Sequence, residues 1–166
     1  KIRLDQPLSD FIPTFKSPRV LKDFNAADSS FTSEPAKREI TIRDLLTHSS
    51  GIDYAGIGSD KMKAIYAKAG VPSGLGDNGT TLLQAITKLG TLPLIHNPGE
   101  KFTYGLNTDV LGCLIEVISG ETLEAYLTKN VFIPLGMKDT YFNLPAEKGS
   151  RLPTVYTENE KNQIIT

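Results

Sequence analysis

Phe102-Thr103-Tyr104-Gly105-Leu106-Asn107-Thr108-Asp109-Val110-Leu111-Gly112 is the stretch on which the reading of this chain turns. It leads from an aromatic loop into an apolar pattern of helical period. Val110, Leu111, Leu114, Ile115, Val117 and Ile118 recur at helical spacing, and Gly120 supplies the stop. Upstream, Asn97-Pro98-Gly99 is a turn by composition within a loop from Leu94 to Glu100. Downstream, Thr122 caps a further helix with Leu123, Tyr126 and Leu127 as its apolar stripe, and Pro134 forbids continuation.

Working outward, Thr41 with Asp44 forms a capping-box variant at the start of a short helix, and Gly51 can end it. Lys61 to Lys68 is a second helix ending at Gly70, and Thr80 or Thr81 caps a third, with Leu82, Leu83, Ile86 and Leu89 on one face and Gly90 as stop. Pro7 to Phe11 reads as a short helix capped by Asp5 and stopped by Pro13. The Ser-, Asp- and Pro-rich text from Pro18 to Ala36 reads as an irregular surface excursion, with short strands at Val20–Phe24 and Arg38–Thr41. Val155–Thr157 and Gln163–Ile165 flank a polar turn and read as a β-hairpin. The expectation is a mainly α segment with minor β.

The chain has 166 residues, the size of one domain, and residues 1–166 read as a single segment. A net charge of −1 argues for neither nucleic acid nor an anionic membrane surface as partner. No apolar run is long enough for a membrane-spanning helix. Cys113 is the only cysteine, so no internal disulfide and no Cys-based zinc site is possible. It sits in an apolar helical pattern and reads as a buried, inert thiol. With only His48 and His96 besides, no metal cluster is expected.

Taken together, Phe102-Thr103-Tyr104, the Asp109-Val110-Leu111-Gly112 helix, Pro134-Leu135-Gly136-Met137 and Ile42-Arg43-Asp44-Leu45-Leu46-Thr47-His48-Ser49-Ser50-Gly51-Ile52 resemble the penicillin-recognising serine hydrolases. These comprise class C β-lactamases, family VIII carboxylesterases and D-amino-acid peptidase relatives. The resemblance implies a β-lactamase/transpeptidase-like α/β fold, with this chain mapping onto its helical domain and the sheet mostly outside it. It implies an acyl-enzyme mechanism on ester, β-lactam or peptide substrates, without cofactor. It also suggests an extracytoplasmic setting.

Tyr104 falls on the family's active-site tyrosine. A phenol with an ordinary pKa of about 10 is a poor base at neutral pH and needs an adjacent cation. The bland reading is an amphipathic residue at a helix entrance. Class C β-lactamases carry asparagine two residues after the tyrosine; here Leu106 stands there and Asn107 follows, about 100° further round a helix. Leu106, Asn107 and Tyr54 are the candidate substrate contacts, with Asp53 beside Tyr54. The departure at Leu106 tilts the reading towards ester or peptide substrates.

The nucleophile motif Ser-x-x-Lys is absent, because no serine here has lysine three residues on. Lys68-Ala69-Gly70 imitates the family's later Lys-Thr-Gly motif but precedes Tyr104 and reads as a helix terminus. Gly74-Leu75-Gly76-Asp77-Asn78-Gly79 matches a dinucleotide pattern without the preceding strand that its mechanism needs, so a loop is the expectation. His48 next to Ser49 does not make a catalytic pair, since adjacent side chains rarely align for proton transfer. His96 reads as a loop residue. Two expectations follow: a serine-hydrolase portion inactive by itself, or a non-catalytic binding or regulatory module on the same fold.

Overall fold

The computed structural model describes residues 1–72, 79–159 and 161–165. It divides into two compact units, Lys1–Tyr126 and Leu127–Thr166. Helix occupies 37% and strand 13%, so the chain is mixed α/β with helix in excess. Among the described residues, no helix is long and apolar enough to cross a membrane.

Of the five described α-helices that begin in the first unit, four start at a polar cap, the one that follows Leu106 being the exception. Helix α1 (Ile42–Leu46) starts at a capping box in which Thr41 accepts the Asp44 N–H and Asp44 accepts the Thr41 N–H. Helix α2 (Asp60–Ala69) is capped by Ser59 and stops at Gly70 in the left-handed region. Helix α3 (Leu82–Leu89) has its capping box between Thr81 and Gln84 and ends at Gly90. Helix α4 (Asn107–Ser119) ends at left-handed Gly120. The Glu116 carboxylate accepts the Leu123 N–H at 2.8 Å, tying α4 to the entry of α5 (Leu123–Leu127), where Thr122 caps as expected.

Several expectations are corrected. Pro18 to Ala36 is largely an antiparallel hairpin, β1 (Arg19–Asn25) and β2 (Ser30–Pro35), paired from Arg19↔Pro35 to Asn25↔Ser30. Only Val20 of this ribbon is buried, so no alternation of apolar and polar residues marks it in the sequence. Arg38–Thr41 makes only a single bridge, Thr41 to Pro7. Near the start, Pro7 rather than Asp5 precedes a 3₁₀ turn (Leu8–Asp10), while Asp5 pairs with Arg43. Pro13 opens a second 3₁₀ turn (Pro13–Phe15) instead of ending the first. Helix α1 stops at Thr47, ahead of Gly51, and Leu83 faces solvent.

The core gathers Leu45 of α1, Met62, Ile65 and Tyr66 of α2, Ile86 and Leu89 of α3, and Val110, Cys113 and Leu114 of α4. Both α1 and α3 pack on α4, placing the start of α4 at the centre of the unit. An apolar groove of about 340 Å³ runs between Ile42 and Leu46 of α1 and Leu111, Ile115 and Ile118 of α4, with Ile2 on its edge.

In the second unit a π-type turn (Thr128–Phe132) is followed by irregular chain and a 3₁₀ turn (Ala146–Arg151). Asp139 binds Arg151 at 2.7 and 2.9 Å and Lys148 at 2.8 Å. The sequence-read hairpin is present as β3 (Thr157–Glu158) and β4 (Ile164–Ile165), paired antiparallel. The dinucleotide-like glycine pattern falls mostly outside the described residues.

Candidate active site

Tyr104 stands on a loop that is fastened by its backbone to the segment following α1. Ile95 N–H donates to Gly51 O at 2.8 Å, Gly99 N–H to Ser49 O at 2.7 Å, Thr103 N–H to His48 O at 2.7 Å, and Leu106 N–H to Asp53 O at 3.2 Å. Two glycines make this closeness possible. A Cβ on Gly105 would lie 2.1 Å from Ile52 O, and one on Gly51 would lie 2.3 Å from His96 O. Gly51 also sits at φ 87°, a conformation that side chains disfavour. Its place is therefore this close approach rather than the end of α1.

His96 is buried and fixes the loop from inside: Nδ1 meets Asn97 O and Nε2 meets the Thr103 hydroxyl, each at 2.8 Å. Both ring nitrogens are thus occupied, in keeping with a loop residue rather than a base.

The clamp brings three aromatic rings together. Tyr104 is 55% exposed. Its ring stacks on His48 at 5.1 Å and 24°, and on Tyr54 at 5.6 Å and 7°. Phe102 lies tilted against His48 at 5.8 Å. Burial, then the negative charge of Asp109 and of Tyr104, push the Tyr54 phenol up. Burial likewise pushes the Asp109 carboxyl up.

The remaining sequence candidates point inward. Leu106 is 3% exposed and packs in the core at the start of α4. Asn107 is fully buried, its amide held by two side chains: the Ser50 hydroxyl donates to Oδ1 at 2.5 Å, and Nδ2 faces His48 Nδ1 at 3.1 Å. Neither residue presents a surface to a ligand in this arrangement. Asp53 is buried too, accepting the Tyr54 N–H at 2.8 Å and the Ser59 N–H and hydroxyl at 3.0 and 2.7 Å. It organises the entry to α2, and its neighbour Tyr54 stacks on Tyr104.

The sequence reading set His48 aside because its neighbour Ser49 is a poor partner. Its real partners, Tyr104 and Asn107, lie more than fifty residues away, and no local spacing announces them. Cys113 is buried; burial and then the charge of Glu116 push its thiol up to about 11, leaving it unreactive at neutral pH. Among the described residues, no group of three or more His, Cys, Asp or Glu could hold a metal ion.

An exposed tyrosine backed by two stacked rings thus stands at the entrance of α4. The chain belongs to the beta-lactamase family, whose sequence profile matches residues 1–165. Protein Rv1367c of Mycobacterium tuberculosis is 34% identical over 164 residues, covering 99% of this chain and 39% of that protein. Esterase EstB of Burkholderia gladioli is 34% identical over 145 residues, covering 86% of this chain and 32% of that enzyme. Among solved structures, "EstCE1, a hydrolase with promiscuous acyltransferase activity" superposes with a TM-score of 0.78 at 28% identity, covering 99% of this chain and 39% of that one. The chain thus spans about two fifths or less of the length of these relatives.

Proposed function

We propose that this chain is the tyrosine-bearing, helical portion of a serine hydrolase that acts on esters through an acyl-enzyme. The observation that carries the reading is Tyr104: exposed, stacked on two rings, and standing at the entrance of α4 in a chain of this family. In the proposed reaction a serine outside this chain attacks the ester carbonyl while its proton passes to the Tyr104 phenolate. Tyr104 then returns that proton to the departing alkoxide as the carbon–oxygen bond breaks. Water repeats the sequence on the acyl-enzyme. A lysine outside this chain would supply the cation that the phenolate lacks here, and backbone N–H groups would hold the oxyanion.

Two features support an ester over a β-lactam. Leu106 replaces the asparagine of the class C pattern, and the Asn107 amide is spent on Ser50 and His48. The EstB relative is named an esterase. The groove between α1 and α4 supports the view that this portion packs against further polypeptide.

In the full-length protein, Tyr104→Phe should lower kcat for p-nitrophenyl butyrate by roughly a hundredfold or more, within the range of general acid–base catalysis. The chain alone should show no turnover above buffer. An unchanged kcat in Tyr104→Phe, or a full-length protein without Ser-x-x-Lys, would overturn the reading in favour of a binding module on the same fold.

A further inference from the structure

The mechanism above leaves unused a polar chain beside Tyr104, made of buried Ser50 and Asn107 and half-buried His48. Ser50 Oγ accepts the Ile52 N–H at 3.0 Å, and its own proton goes to Asn107 Oδ1 at 2.5 Å. The oxygen end of the Asn107 amide faces Ser50, and the nitrogen end donates to His48 Nδ1 at 3.1 Å.

The backbone holds the same ring. His48 sits at φ 51°, a region that non-glycine residues rarely occupy. Its N–H donates to Leu45 O at 3.2 Å, and its carbonyl accepts the Thr103 N–H at 2.7 Å. Asn107 is the first residue of α4, and both ends of its side-chain amide take part in this relay. His48 is thus tied to the residue before Tyr104 through its carbonyl and to the third residue after it through its imidazole. Its face then meets the Tyr104 ring at 5.1 Å.

We infer that His48 is a positioning residue for Tyr104, oriented by the Ser50–Asn107 relay and acting on the phenol by stacking. The inference rests on the reading of Tyr104 as the proton-transfer group. It goes beyond it by stating what aims that group. A half-exposed tyrosine has two rotatable side-chain bonds, and misalignment at a reacting centre is costly to rate even when substrate still binds. His48 and Tyr54 supply two flat walls, and only His48 is itself locked by a directed hydrogen bond.

The test is a set of substitutions in the full-length enzyme with p-nitrophenyl butyrate. His48→Phe keeps a flat ring but loses the acceptor for Asn107; His48→Gln keeps an acceptor but loses the ring. Each should lower kcat by about tenfold while KM stays within about twofold, the signature of an interaction that matters in the transition state. Placed on a Tyr104→Phe background, either substitution should change kcat by less than about twofold, because what it positions is gone. The same fold-loss in both backgrounds would make His48 a structural residue and overturn the inference, as would unchanged kcat in both single variants. If Tyr104→Phe alone costs nothing, the proton-transfer reading fails and this inference falls with it. If Tyr104→Phe is severe and the His48 variants are silent, only the inference fails. Thermal midpoints of every variant separate loss of fold from loss of aim, and the glutamine variant carries the test should the phenylalanine variant not fold.

Discussion

Two polar clusters in this chain have similar bond lengths and opposite meanings. In the second unit, Asp139 holds Arg151 and Lys148 at 2.7 to 2.9 Å, with all three side chains reached by solvent. In the first unit, Ser50, Asn107 and His48 are joined at 2.5 and 3.1 Å, with Asn107 and Ser50 fully buried. Water competes for the charges of the first cluster and salt screens them. In the second, Ser50 and Asn107 are out of reach of water, so either one left unpaired carries its desolvation cost. Burial, rather than distance or formal charge, decides which cluster holds its neighbours in place.

The comparison can be broken at its strong end first. Asn107→Leu should destabilise the protein by about 2 kcal/mol, because Ser50 Oγ and His48 Nδ1 lose their partner together. Urea unfolding checks it, and a loss no larger than that of an exposed substitution would remove the distinction drawn here.

Asp44 sits between the extremes. It is buried, but its carboxylate binds Arg38 at 2.6 and 2.8 Å and the Thr41 N–H at 2.8 Å. Burial pushes this carboxyl up, and the bonds to Arg38 and Thr41 outweigh it, so the folded protein holds it below its ordinary value. A depressed carboxyl stabilises the fold above its unfolded pKa of about 3.9 and loses that stability as pH falls through the folded value. Asp44→Asn should cost about 1 kcal/mol at neutral pH, as loss of a cap does. It should also flatten the decline in the urea midpoint below about pH 4, where pH falls from the unfolded value through the depressed folded one. An equally steep decline in the variant would count against the assignment.

At the weak end, Arg151, then Lys148, hold the Asp139 carboxyl well below its usual range, yet the carboxylate is solvated. Asp139→Asn should leave the thermal midpoint unchanged within error at 150 mM salt, a concentration at which exposed charges are largely screened. A clear drop would mean that this cluster is more than a surface arrangement.

Legibility in the sequence follows the same division between near and far. The capping boxes at Thr41 and Thr81 and the left-handed stops at Gly70 and Gly120 were readable, since each is settled within four residues. The β1–β2 hairpin was not, because its two faces are both largely exposed and leave no apolar alternation. Tyr104 was legible as a motif and its exposure fits that reading. Leu106 and Asn107 were legible as positions, but the direction of their side chains depends on how α4 meets α1. The pairing of His48 with Tyr104 and Asn107 depends on folding alone, since 56 and 59 residues separate the partners.

The backbone clamp between residues 48–53 and 95–106 also bears on how such a tyrosine can be inherited or transplanted. A segment carrying Phe102 to Asn107 into another protein would bring the phenol but leave behind its bearings. The unit that travels intact is the pair of strands of text together, with glycine kept at both points of closest approach. Recombination that cuts between them separates the instrument from its mount.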